Sequence, residues 1–314
     1  RAEVSSYRQQ LGVIGLIAGV AAPPIIYGSL GWGWLGLLIG AMTLAALYVS
    51  VLGSKERIEY SLEKPLPFKY SFKATFSNKS FLLYVIPYLF VQFTFVILTA
   101  VAPFYTKYVL GFDETQTALF LLTAFSAALP SVLLWRVVTV RKGTKRAFAY
   151  CMGAFSLTLI APLVAFDFPT GVIAALLIGL GLGGPLVIPD ILLAEVIDED
   201  ELDTGRRREG IYFGMNAFFI RLAIVLEALA VGTVLDYSGY VPGLIPQPET
   251  AILGMRLLMS IIPILALIIA FMVFSRYPLF GEKLARVRMK VEEIHKEKRA
   301  KLPGSKEAVP SHKP

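Results

Sequence analysis

Arg221 stands ten residues into an apolar run, 211 to 235, that holds no other basic side chain. An arginine near the bilayer midplane costs about 2.5–3.5 kcal/mol on insertion scales, so it needs a partner or a wet cavity. That leaves two readings: a contact with a polar solute or a coupling carboxylate, or a buried structural ion pair. Glu227 follows six residues later, about 240° round a helix, and is therefore not its partner. Asp190, beside Pro189, is the other acid inside an apolar run. It is a candidate proton site if desolvation favours its neutral form, or a cap for backbone broken near Pro185 and Pro189. Tyr212 and Asn216 are four residues apart and share a helix face, with Arg221 five residues further on and expected along its edge. Tyr84, Tyr88 and Gln92 recur every four residues as a polar and aromatic stripe, which suits the faces and hydroxyls of a sugar; interface anchoring accounts for Tyr84 equally well.

A second concentration of chemistry lies between 195 and 210. Glu195, Asp198, Glu199, Asp200 and Glu201 precede Arg206, Arg207, Arg208 and Glu209. Opposite charges this dense at one mouth suit a breakable ion-pair latch, with Glu195, Asp198, Arg207 and Glu209 as its members. The alternative is a solvated loop whose exposed pairs contribute about 0–1 kcal/mol each. Gly179, Gly181, Gly183 and Gly184 superficially suggest a nucleotide loop, but no strand precedes them and the run is apolar. Close helix packing is the reading they support. The two histidines, His295 and His312, lie in the polar C-terminal region, and the single cysteine, Cys151, lies in an apolar run. No disulfide framework or metal-ligand cluster can be built from these, and no metal site is expected.

These residues need a scaffold, and composition says which kind. Of 314 residues, 56% are hydrophobic and 17% charged, which points to lipid rather than water as the main solvent. A bilayer core of about 30 Å asks for about 20 apolar helical residues. Eight stretches qualify, at about 11–30, 33–53, 81–106, 115–139, 147–166, 171–194, 211–235 and 251–274. The chain is thus expected to be an all-α polytopic membrane protein. Lys and Arg crowd every second connection: Lys55 to Lys79, Arg141 to Arg146, Arg206 to Arg208 and the region after 275. The intervening turns are almost free of them, so both termini are expected on the cytoplasmic side. The charge of +7 follows this alternation and gives no reason to expect nucleic acid. Residues 54–80, with Pro65 and Pro67, read as a cytoplasmic linker dividing two helices, within 1–53, from six more, 81–274; 275–314 read as a solvated basic tail. The first three of those six form a block that begins inside and the next three a block that begins outside, the inverted repeat of many secondary transporters.

The run Glu195-Val-Ile-Asp198, then Thr204-Gly205-Arg-Arg-Arg-Glu209-Gly210-Ile-Tyr212-Phe213-Gly214 with a basic residue at Arg221, resembles the glycoside-pentoside-hexuronide:cation symporters. This is the melibiose-permease group of the major facilitator superfamily. Arg141-Lys-Gly143-Thr-Lys-Arg146 is similar to the superfamily's basic turn. The resemblance implies a major facilitator-type bundle of which this chain holds helices five to twelve of twelve, with about four N-terminal helices absent. It implies symport of a sugar or glycoside with sodium or a proton at the plasma membrane, and no other cofactor. It places Arg221 where the family has a lysine in helix eleven, Arg8 at the arginine opening helix five, and Asn216 beside the sugar. It puts Glu195, Asp198, Arg207 and Glu209 in a charge network between bundles. The family's cation-binding carboxylates lie on helices two and four, outside this chain. Leu186 stands where some members stack a tryptophan on the sugar. Lipid-carrying relatives make a lysolipid the alternative substrate. A membrane enzyme acting on lipid head groups should carry intramembrane His, Cys or paired acids, and no histidine falls in a span.

Overall fold

The computed structural model describes residues 30–53 and 75–300, together with Tyr7, Leu11, Gly12, Gly15, Gly19 and Ile26. Arg8, most of the predicted first span and most of the 54–80 linker lie outside the described residues. Among the described residues ten α-helices follow one another: α1 (Trp32–Gly53), α2 (Lys79–Phe104), α3 (Glu114–Lys142), α4 (Thr144–Thr158), α5 (Ala161–Val164), α6 (Phe168–Thr204), α7 (Glu209–Tyr237), α8 (Glu249–Met259), α9 (Ile261–Phe274) and α10 (Gly281–Ala300). No strand occurs among the described residues. With short breaks bridged, seven helical units among the described residues are long and apolar enough to cross a membrane, and they coincide with seven of the eight expected spans. The protein is an all-α, multi-pass membrane bundle. Leu134, Val137, Leu157, Ile173 and Leu229 are exposed along these helices, as side chains that face lipid tails should be.

Proline and polar caps set where helices bend and stop. α2 carries Pro87 and Pro103 and closes in a π-helical turn, Tyr105–Val109. Thr106 Oγ1 donates to the carbonyl of Ala102, four residues back, at 3.0 Å. The run 147–166, expected as one helix, breaks after Thr158 and resumes as α5. The carbonyls freed there are met from other helices: Arg256 Nη1 donates to Pro162 O at 3.1 Å and Leu163 O at 2.8 Å, and Tyr105 OH to Pro162 O at 2.6 Å. The last span parts at Ser260, because Pro263 has no N–H to offer the turn before it. Asp113 and Asp167 begin α3 and α6 with reciprocal capping boxes. Gly143, at φ +81°, makes the one-residue turn from α3 to α4.

α6 is the bundle's axis, with α3 along one side, α4 along another and α2 touching it; α7 and α9 pack on α2, and α9 also on α4. The glycine run makes these approaches possible. A Cβ at Gly179 would strike the Ala124 backbone, one at Gly183 would lie 2.5 Å from Ser131 Oγ, and one at Gly184 would strike Cys151. Gly179 and Gly183 therefore admit α3, and Gly184 admits α4, as small-residue packing requires. Ser131 Oγ donates to Leu180 O across the contact at 2.5 Å.

The region after 275 departs from expectation. Instead of a solvated helix, α10 lies against the bundle through Leu284, Val287 and Val291, all buried. Their spacing of three and four residues puts them on one face, and the helix's charges occupy the rest.

Candidate functional site

The acid end of α6 is buried. Glu195, Asp198, Glu199, Asp200 and Glu201 are each at most 9% exposed. Uncompensated, such a set would be untenable, and five basic side chains answer it. Arg207 Nη1 reaches Asp198 at 3.1 Å and Glu201 at 2.9 Å, while its Nε donates to Glu209 at 2.6 Å. Arg208 grips Asp200 with Nε at 2.8 Å and also with Nη2. From α10, Lys283 reaches Glu199 at 2.5 Å, Arg288 reaches Glu195 at 2.6 Å, and His295 meets Glu201 at 3.0 Å. Gly205, at φ +69°, ends α6 and turns the chain so that Arg207 and Arg208 point back at their partners. Burial opposes the charge on Arg207, but Glu209 first and then Glu201 and Asp198 outweigh it, holding the guanidinium above its usual value.

Three of the four expected latch residues thus meet, Asp198, Arg207 and Glu209. Glu195 does not join them: its Oε1 accepts from Thr144 Oγ1 at 2.7 Å and from Arg288. Nor do the described pairs run between two bundles. They tie α6 to the loop that follows it and to α10, because Arg207 sits only nine residues beyond Asp198 and the turn folds it back. A cavity of about 580 Å³ opens among α3, α4, α6 and α10, walled by Thr139, Thr144, Glu195, Asp198, Arg288 and His295.

The expected substrate residues divide into two groups. On α7 a buried stripe runs through Tyr212, Asn216, Ala223 and Glu227. Asn216 Oδ1 accepts from Tyr84 OH at 3.0 Å, Tyr84 stacks on Tyr88 with centroids 5.7 Å apart, and Gln92 Nε2 donates to Tyr88 OH at 2.5 Å. Tyr212 OH accepts from Asn78 Nδ2 at 3.1 Å, and Asn78 caps α2 with its other amide atom. Asp190, half-buried, interacts electrostatically with Tyr84. This polar and aromatic patch is an internal contact between α2, α6 and α7. Arg221 is elsewhere. Five residues from Asn216 is about 140° round the helix, so Arg221 is exposed on the opposite side, not on the edge of the Tyr212 and Asn216 face. Its Nη1 donates to the Ala217 carbonyl of its own helix at 3.0 Å, and exposed Phe218, Ile224 and Val225 surround it.

The family described as MFS/sugar transport protein matches residues 1–280. The chain belongs to that family. Among its curated relatives in the MFS/sugar transport family, the sodium-dependent lysophosphatidylcholine symporter 1 of Xenopus tropicalis is 24% identical over 79% of this chain and 48% of its own. An uncharacterized symporter of Synechocystis is 26% identical over 78% of this chain and 47% of its own. An uncharacterized symporter of Bacillus subtilis is 28% identical over 94% of this chain and 65% of its own. The chain spans about half the length of the first two and about two thirds of the third.

Sequence reasoning left Glu201, Arg208, Arg288, His295 and Arg256 out of the expected latch. For the first four the signal was the 195–209 charge density together with the apolar spacing of Leu284, Val287 and Val291. Arg256 lay unremarked in the last span, and its partners are carbonyls of a helix break that no composition rule marks.

Proposed function

We propose that the protein is a secondary active transporter that moves a small molecule carrying an anionic group in symport with sodium or a proton, by alternating access. The reading rests on Arg221. Its position, about 18 Å from the start of α7, is near the middle of a helix about 43 Å long, where a guanidinium bonded, among the described residues, to its own helix's carbonyl is costly unless a polar ligand meets it. The face of α7 that bears Arg221 then lines the transport path, opposite the part of the protein that completes the cavity. The apolar side chains around the cation favour an amphiphile of the lysophospholipid kind, whose phosphate Arg221 would pair and whose acyl chain Phe218 and Val225 would accompany. The named lysophosphatidylcholine symporters support the same substrate class.

A sugar or glycoside is the second reading. The Tyr84, Tyr88, Gln92 and Asn216 patch favours it, provided rocking of the helices opens that patch to the cavity. The 195–209 network and α10 would then face the cytoplasm and close the inner mouth, as the distribution of lysine and arginine supports, with the plasma membrane as the site of action.

The test is uptake of labelled lysophospholipid, hexuronide and neutral glycoside by cells expressing the complete reading frame. Arg221→Ala is expected to abolish uptake of the anionic substrate while surface expression holds, and Arg221→Lys to retain part of it. Full uptake by Arg221→Ala would refute the role of this cation. Transport confined to neutral glycosides would replace the amphiphile with the second reading.

A further inference from the structure

A second cavity, of about 320 Å³, lies where the turn from α3 to α4 meets the start of α10. Its size falls within the range of small-ligand pockets, about 300–1,000 Å³. Lys142, Lys145 and Arg146 wall it from the turn, and Phe280 and Leu284 from the chain entering α10; no carboxylate is among its walls. Lys142 and Arg146 are exposed, and neither forms an ion pair among the described residues. Lys145 is held in place: its Nζ donates to the Tyr277 carbonyl at 2.6 Å and stands 3.9 Å from the centre of the Phe280 ring. An ammonium has three hydrogens to donate, so it can serve a ligand as well. The acids beside the cavity are engaged elsewhere. Glu195, 1% exposed, accepts through Oε1 from Thr144 and Arg288, and exposed Glu282 pairs with Arg286 at 3.3 Å.

Three cations round one hollow repel one another and set up a positive field that draws an anion in. The backbone adds to it, since α4 starts at Thr144 with no side chain capping its first turn, which leaves amide hydrogens for the same anion. The place says which anion. α3 and α4 are spans, so the turn between them stands at the level of lipid head groups. Phe280 is 50% exposed at the cavity, and Leu133, Val137 and Val140, spaced four and three residues apart, form an exposed apolar stripe running to the same end of α3. We propose that this cavity binds the phosphate of an anionic phospholipid, held by Lys142, Lys145 and Arg146, with its acyl chains on the apolar surface nearby. A lipid seated there ties the α3–α4 turn to the entry of α10, whatever solute the protein carries.

Native mass spectrometry of the purified full chain in detergent tests this, with titrations of phosphatidylglycerol, phosphatidylcholine of the same acyl chains, and inorganic phosphate. Phosphatidylglycerol is expected to bind more tightly than phosphatidylcholine. Lys142→Gln/Arg146→Gln should bind it about thirtyfold more weakly, while Arg286→Gln/Lys296→Gln, which removes two exposed cations of α10 outside the cavity, should bind it as the wild type does. Equal weakening in the two double variants would reduce the effect to general surface charge, and equal binding of the two lipids would remove the preference for an anion; either overturns the proposal. Displacement of phosphatidylglycerol by inorganic phosphate at equal concentration would overturn it in favour of a free-anion site. Should Lys142→Gln/Arg146→Gln fail to fold by circular dichroism, Lys142→Gln alone decides: unchanged affinity for phosphatidylglycerol overturns the proposal. Transport is not among the readouts, so failure here leaves the symport reading standing.

Discussion

Replacing Arg207 with alanine removes one guanidinium from three carboxylates at once, and the geometry says how unequal those three losses are. Asp198 and Glu201 have side chains 2% and 0% exposed, so each would be left as a buried charge short of a partner. Breaking such a pair from one side costs about 3–5 kcal/mol. Glu201 keeps His295 at 3.0 Å, which places the loss at the lower end, about 3 kcal/mol. Glu209, 51% exposed, is hydrated and adds about 0–1 kcal/mol. For a domain of this size 1 kcal/mol moves the melting midpoint by about 2–4 °C. Arg207→Ala is therefore expected to lower the midpoint by about 6–12 °C, and Glu209→Ala by no more than about 4 °C. Thermal melts of both variants in the same detergent, followed by near-ultraviolet circular dichroism, make the comparison. In an Asp198→Asn background the Arg207→Ala loss should shrink, since one stranded charge is already gone. Equal small shifts for Arg207→Ala and Glu209→Ala would show that the buried acids are neutral or otherwise compensated, and the reasoning would fail.

Gly183→Val drives a side chain into the Ser131 backbone and should cost about 1–3 kcal/mol by overpacking; Gly153→Val, which meets open space, should not, and melting of the pair checks it. Val287→Asp removes a buried anchor of α10 worth about 1.5–3 kcal/mol, so trypsin should cleave near Arg286 and Arg288 about ten- to a hundredfold faster in limited proteolysis. The hydrogen bonds from Thr170 hold the Asp167 carboxyl below its usual range. A depressed folded-state value means that this cap stabilises α6 above the ordinary carboxylate range and is lost as pH falls through the lowered value. The melting difference between wild type and Asp167→Ala should accordingly be present at neutral pH and vanish in strong acid.

How legible each part was follows from the range of the interaction behind it. The spans were readable because bilayer thickness acts on run length alone, and the glycine run because only small side chains let helices approach so closely. Helix breaks at Ser260 and after Thr158 were not, since a proline marks possible strain but the neighbours that absorb it, Arg256 and Tyr105, come from far along the chain. Arg221 and Asn216 were wrongly expected on one edge; periodicity alone separates them, and the buried stripe of α7 confirms the separation. The partner of Glu195 could not be read, because Arg288 is 93 residues away and reaches it only once α10 docks. The docking face itself, Leu284, Val287 and Val291, was present in the pattern but overshadowed by the surrounding charge.

α6 is 37 residues long, about 55 Å, against a hydrocarbon core of about 30 Å. It is clamped where Gly179 to Gly184 let α3 and α4 close on it, and Pro185 and Pro189, each of which removes one hydrogen bond from the helix, follow at once. From that fulcrum to Thr204 is a lever arm of about 30 Å. A swing of only about 10° there displaces the acid tip by about 5 Å, more than any ion pair at that tip can stretch. A small adjustment among the glycine-packed helices would therefore reach α10 as strain on the ion pairs of Lys283, Arg288 and His295.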